Sequence, residues 1–331
     1  MAGCAQQAEA PADAPVEPPV PAEAAAPVSG LAGEVKIDGS STVAPISEAV
    51  AEEFQKSNAS VKATVGTSGT GGGFKKLIAG EIDIADASRP IKSSELESLK
   101  AGGTDVVELP VAYDGLAVVV NPKNDFVDHL TVAELKKIWE PESKVTKWSQ
   151  VRQGWPDREF HLYGPGTDSG TFDYFTDAIV GDEGKSRSDY TASEDDNTLV
   201  TGVSGDPDAL GYFGFAYYAE NQDKLKLVPI DGGSGPITAS AETIRDGTYQ
   251  PLSRPLFIYV SSKSIDRPEI QEFVKYYLSN STKLVEEVGY VSLPARAYEL
   301  ALARFQNKKL GSIFSGGSQV GVKIEDLLAK E

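Results

Sequence analysis

The sequence predicts an α/β protein of parallel sheets with helices on both faces. Three observations carry that expectation. From Glu34 onward, short β-rich runs alternate with stretches of helical periodicity. Small hydroxyl residues and glycines stand at several points where a strand gives way to a helix. The 331 residues are 40% apolar and 24% charged, ordinary values for a globular chain long enough for two domains.

The elements follow in order. Residues 34–38 read as a strand, then Gly39-Ser40-Ser41-Thr42 leads into a helix with Ile46, Val50 and Phe54 on one face. Residues 61–65 form a second strand, 66–73 a glycine-rich turn and 74–80 a helix. A third strand over 82–86 runs through Ala87-Ser88-Arg89-Pro90 into a helix near 93–100. Residues 116–120 are strongly β, with Asp114-Gly115 as a turn before them. Helix is expected over 131–139 and 170–180, and strand over 159–163, 210–213, 225–229 and 255–260. Three helices over 268–279, 282–288 and 295–308 close the chain.

Composition excludes several classes. A formal net charge of −18 argues against binding nucleic acid through its phosphates, which needs clustered Lys and Arg. No run approaches the 18 apolar residues of a membrane span. Residues 5–33 are rich in Ala, Pro and Glu and free of aromatic and cationic residues, so they read as a flexible tether. The one cysteine, Cys4, follows Met1-Ala2-Gly3, which looks like the small-residue end of a bacterial lipoprotein signal without the apolar stretch that should precede it. The expectation is that Cys4 carries lipid and is the protein's only tie to a membrane; the plainer alternative is a chance cysteine in a tail.

Three loops could hold an anion: Ser40-Ser41-Thr42, Ser68-Gly69-Thr70-Gly71 and Ser169-Gly170-Thr171. Each stands where a helix begins, and a helix start offers unpartnered N–H groups and partial positive charge. Ser and Thr there are also ordinary N-caps, so one loop alone would mean little. Three at strand-to-helix switches match the place where open α/β sheets bind ligands. Gly69 to Lys76 lacks the Gly-Lys-Ser/Thr ending of a P-loop and the spacing of a dinucleotide fingerprint. Ser88-Arg89 follows a strand end and offers a forked cation, with a surface ion pair as the plainer reading. Asp114 could accept the proton that phosphate keeps at neutral pH and sulfate lacks, with a turn role as the alternative.

At these residues the chain resembles the periplasmic phosphate-binding proteins of Pst-type ABC transporters. The likeness covers nearly all of residues 34–315. It is carried by Asp38-Gly39-Ser40-Ser41-Thr42-Val43-Ala44-Pro45, Gly66-Thr67-Ser68-Gly69-Thr70-Gly71, Asp83-Ile84-Ala85-Asp86-Ala87-Ser88-Arg89-Pro90, Asp114-Gly115, Gly166-Thr167-Asp168-Ser169-Gly170-Thr171 and Ala209-Leu210-Gly211-Tyr212-Phe213-Gly214. Residues 163–175 look most like the cyanobacterial branch. The resemblance implies a two-lobe, type II Venus-flytrap fold, with high-affinity phosphate binding in the cleft and delivery to a membrane permease. It implies no cofactor and no metal. Its contacts would fall on Ser41, Thr42, Ser68, Thr70, Ser88, Arg89, Ser169, Gly170 and Thr171.

Two departures from the family pattern matter. Well-known members carry an arginine where this chain has Pro165, which makes Arg89 the expected replacement. Some carry an aspartate acceptor where this chain has Ser88; Asp114 is the expected substitute, with Asp86 and Asp168 behind it. Lobe I is expected over 34–118 plus 255–331 and lobe II over 119–254, with crossings near 118–120 and 251–255 forming the hinge. The rivals are another tetrahedral oxyanion (sulfate, molybdate or arsenate), a phosphate sensor without a transporter, and a phosphatase or serine hydrolase. The last has little support: neither His129 nor His161 lies in the loops, and no metal-ligand cluster or nucleophile elbow appears.

Overall fold

The structure, a computed structural model, describes residues 30–167, 169–193, 195–314 and 324–330. Cys4, residues 5–29 of the expected tether and Asp168 lie outside the described residues; the end of that stretch is described, with Leu31 buried and Gly33 opening the first strand, so the folded part begins earlier than expected.

The first half of the chain is built from strand–helix pairs. Strand β1 (Gly33–Gly39) leads to α1 (Ala44–Ser57), β2 (Val61–Gly66) to α2 (Thr70–Ala79), and β3 (Ile84–Ala87) to α3 (Ser93–Ala101). Helix α1 buries Ile46, Val50 and Phe54, the expected stripe, and Pro45 in its first turn needs no N–H partner. Helix α2 starts at Thr70 and takes in the glycines, so the expected turn is shorter than it looked. Gly73 is needed there: a Cβ would lie 2.7 Å from the Cα of Gly39 and 2.8 Å from the Asp38 carbonyl oxygen.

Strand β4 (Val106–Val120) is buried at all fifteen positions, which explains its near-continuous apolar run. It is three times the expected length, and Asp114-Gly115 lie inside it rather than in a turn before it. Next come β5 (Leu130–Thr131), α4 (Val132–Trp139), α5 (Trp148–Val151), β6 (His161–Pro165) and α6 (Gly170–Phe175), the last continued by a π turn at Thr176–Val180. Thr131 caps α4 by accepting from Glu134 N at 3.1 Å, while Glu134 accepts back from Thr131 N. Strand β7 (Thr191–Ser193), α7 (Asp196–Gly205), β8 (Ala209–Gly214), α8 (Phe215–Glu220), β9 (Lys226–Leu227), β10 (Ile230–Asp231), β11 (Pro236–Ile237) and α9 (Ala241–Arg245) follow. Strand β12 (Ser253–Ser261) precedes α10 (Pro268–Glu287), α11 (Ala295–Gln306) and α12 (Ile324–Leu328). Helix α10 is one element where two were expected; it lays Phe273 edge-on against Phe54 of α1 at 5.3 Å.

The main sheet runs β2-β1-β3-β12-β4-β8-β6-β7, with β9 on β4. Pairs β1–β2, β1–β3, β6–β8 and β6–β7 are parallel. Strand β12 is antiparallel to both β3 and β4, and β4 is antiparallel to β8, so the sheet is mixed where an all-parallel one was expected. Strand β4 changes partner midway: residues up to Gly115 face β12, and Leu116 onward face β8. One strand thereby ties two sheet halves together in a two-lobe α/β fold.

Candidate functional site

Strands β1, β2 and β3 are adjacent and parallel, so their carboxyl ends open on one edge. That topology brings the loops at Ser40-Ser41-Thr42, Ser68-Gly69-Thr70-Gly71 and Ser88-Arg89 together. Ser41, Thr42, Ser68, Thr70, Ser88 and Arg89 all line one cavity of about 640 Å³. Thr70 and Ser88 touch directly: their hydroxyls are 3.1 Å apart, and Ser88 N donates to Thr70 Oγ1 at 3.2 Å.

The Ser169-Gly170-Thr171 loop meets the first loop from the opposite side. A Cβ on Gly170 would stand 2.5 Å from Thr42 Oγ1 and 2.9 Å from Ser41 Oγ, so only glycine allows this approach. Ser169 caps α6 by accepting from Thr171 N at 3.2 Å. Ser169, Gly170 and Thr171 are not in the cavity wall itself, to which α6 contributes Asp173 and Tyr174.

The charged groups fall differently from expectation. Arg89 gives its two terminal nitrogens to Glu95 at 2.9 and 2.8 Å and stands 5.5 Å from the centre of the Phe74 ring. Burial works to raise the Glu95 carboxyl, but its bonds from Arg89 and Lys92 outweigh that and hold it below the usual range. Arg89 thus borders the cavity with its fork already engaged.

A different arginine, Arg254, stands with its charge at the cavity wall. Its NH2 group donates to Thr42 Oγ1 at 3.0 Å, and its guanidinium lies 3.6 Å over the Tyr174 ring. Behind it is Asp114, whose Oδ2 is 3.4 Å from both Nε and NH2. Asp114 is 2% exposed and absent from the cavity wall, so it faces Arg254 where a direct ligand contact was expected. Burial raises its carboxyl and Arg254 opposes the rise. Tyr174 is itself held by its hydroxyl, which donates to the Pro251 carbonyl at 2.7 Å.

Asp86, the second carboxylate considered, is fully buried behind the loops, where Ser47 of α1 donates to its Oδ1 at 3.0 Å. Desolvation pushes it up to about 8. Pro165 accepts from the Tyr190 hydroxyl at 2.8 Å and offers nothing to an anion. Neither histidine lines the cavity: His161 pairs with Asp206 and His129 with Asp128. Among the described residues, no group of three or more His, Cys, Asp or Glu could hold a metal ion.

Sequence reasoning missed Arg254 and Tyr174. Arg254 stands in Ser253-Arg254-Pro255, read only as a lobe crossing; its register opposite Asp114 is a fact of strand pairing that no local pattern carries.

A family model described as a PBP superfamily domain matches residues 21–281. Protein SphX of Synechococcus elongatus is 53% identical over 300 residues, covering 90% of this chain and 88% of that protein. The crystal structure of a possible phosphate binding protein from Planctomyces limnophilus is 52% identical with a TM-score of 0.81, covering 84% of this chain and 99% of that one. A putative phosphate ABC transporter substrate-binding protein from Clostridium perfringens, solved with bound phosphate, is 26% identical with a TM-score of 0.56, covering 79% of this chain and 100% of that one.

Proposed function

The chain belongs to the PBP superfamily, and from that premise we propose that it binds inorganic phosphate between its lobes and delivers it to the membrane permease of an ABC importer. One observation carries the reading: three hydroxyl-bearing loops and the Arg254 guanidinium line a single cavity. Thr42 and Ser169 accept within the protein, from Arg254 NH2 and Thr171 N, which leaves each hydroxyl proton free to donate to an anion. The first turn of α2 has no side-chain cap, so its amides can donate as well. Arg254 supplies the charge that Pro165 does not. The bound phosphate of the Clostridium perfringens protein and the name of the Planctomyces limnophilus one support phosphate as the ion.

Lobe I comprises the strands on the β3 side of the β4 switch and lobe II those on the β8 side. The boundaries lie at Gly115/Leu116 and Leu252/Ser253, so lobe I ends three residues before 118 and resumes two residues before 255, because β12 pairs Arg254 with Asp114. Phosphate bridges the lobes and shifts the population toward the closed form, which docks on the permease. The protein works in the periplasm, tied to a membrane by lipid on Cys4. Fatty-acid labelling that is equal in wild type and Cys4→Ser would end the lipid assignment.

Binding rather than catalysis is the reading that the family match supports, and among the described residues no histidine lines the cavity. Calorimetry with phosphate, arsenate, sulfate and molybdate tests the ligand. Saturable phosphate binding with far weaker sulfate binding is expected; sulfate binding tighter than phosphate at neutral pH defeats the reading.

A further inference from the structure

Asp38 stands at the end of β1, and it takes both donors of Ser68. Ser68 N donates to Asp38 Oδ1 at 3.0 Å, and Ser68 Oγ donates to the same oxygen at 2.5 Å. The direction of the second bond is settled by the carboxyl: its other oxygen, Oδ2, is bound by Lys76 Nζ at 2.5 Å. Burial works to raise Asp38, and the bonds from Lys76 and Ser68 outweigh it and keep the group ionised. An ionised carboxylate has no proton to give. The Ser68 hydroxyl proton therefore lies on the Asp38 side. Ser68 nevertheless lines the cavity. With its amide and its hydroxyl proton both engaged, it can present only lone pairs there.

We propose that Ser68, oriented by Asp38, is the acceptor that reads the proton of phosphate and so rejects fully ionised oxyanions. The assignment rests on the phosphate reading above and names the group that sets its selectivity. It fills the role expected of Asp114, which Arg254 occupies. A protonated phosphate oxygen donates to Ser68 Oγ, and Asp38, by drawing the hydroxyl proton toward itself, leaves more electron density on Oγ and strengthens that bond. Sulfate has no proton to give. Its lone pairs would face those of Ser68, and one repulsive contact suffices for discrimination. Asp38 touches no anion and acts only through Ser68, as a positioning residue.

The test is competitive calorimetry on the full chain, measuring phosphate affinity and its displacement by sulfate, for wild type, Ser68→Ala and Asp38→Ala. In Ser68→Ala, phosphate affinity should fall roughly tenfold or more, the worth of a hydrogen bond to a charged group, while displacement by sulfate is unchanged or easier. In Asp38→Ala, the Ser68 hydroxyl loses the acceptor that holds its proton, can turn that proton to the ligand, and should make sulfate binding measurable. Unchanged phosphate affinity in Ser68→Ala overturns the proposal. So does an equal loss for phosphate and sulfate, which would mark Ser68 as a simple donor. Failure of the wild type to bind phosphate would instead sink the proposed function.

Discussion

Arg254 and Asp114 face each other across the antiparallel strands β12 and β4, with Asp114 Oδ2 3.4 Å from two guanidinium nitrogens and Thr42 Oγ1 3.0 Å from one of them. The buried carboxylate holds the cation, and the cation reaches the first hydroxyl loop. Arg254→Ala should therefore lower phosphate affinity about a hundredfold, since truncating one member of a buried charge pair costs about 2–5 kcal/mol. Calorimetry reads the change. Asp114→Asn should act first on stability, by about 3 kcal/mol, because it leaves a largely buried cation without its counter-charge; a thermal melt checks it.

Arg89 offers the contrast. Its fork is already used by Glu95, so Arg89→Ala should change phosphate affinity by severalfold at most, well short of the Arg254 effect. The pair is partly solvated, so its loss should cost at most about 1 kcal/mol of stability. A hundredfold loss of affinity in Arg89→Ala would show that Arg89 leaves Glu95 to grip the ion.

Gly170 is where the lobes touch. A methyl group there would stand 2.5 Å from Thr42 Oγ1 and 2.7 Å from Thr42 N, too close to accept without movement. Gly170→Ala should hold the lobes apart and weaken phosphate binding at least tenfold, with little change in melting temperature because the residue is partly exposed in the cleft. Small-angle scattering should record a smaller compaction on adding phosphate than in wild type.

Asp86 predicts a pH dependence. Desolvation raises its folded value to about 8 from 3.8, with Asp38 and Glu48 adding to the rise and Ser47 opposing it. The folded state then binds the proton more tightly than the unfolded state does. That contribution to stability is fully present below about pH 4 and is lost as pH rises toward 8. Asp86→Asn should thus raise the melting temperature relative to wild type at pH 8 and do so less at pH 5. A larger gain at pH 5 would contradict the assignment.

Much of the site was legible because it is local. Ser41, Thr42, Ser68, Thr70, Ser88 and Arg89 follow strand ends, and a strand-to-helix pattern is enough to place them on one edge. Helix α1 was readable from its stripe of Ile46, Val50 and Phe54. What escaped depends on pairing between distant segments. Nothing near Arg254 announces Asp114, 140 residues away, and nothing near Ser68 announces Asp38. The first part of β4 was missed because Glu108, Pro110 and Asp114 interrupt its apolar run; in the fold Glu108 is satisfied by Tyr259, Ser312 and Ile313 N. Short helices such as α8 and α9 have too few turns to show a periodicity.

The most direct test is a crystal structure of the protein grown with phosphate. The account places the ion against the Arg254 guanidinium and the Thr42 and Thr70 hydroxyls, with Ser68 Oγ accepting and Arg89 still bound to Glu95. Phosphate seated on Arg89 released from Glu95, or away from Arg254, would contradict it.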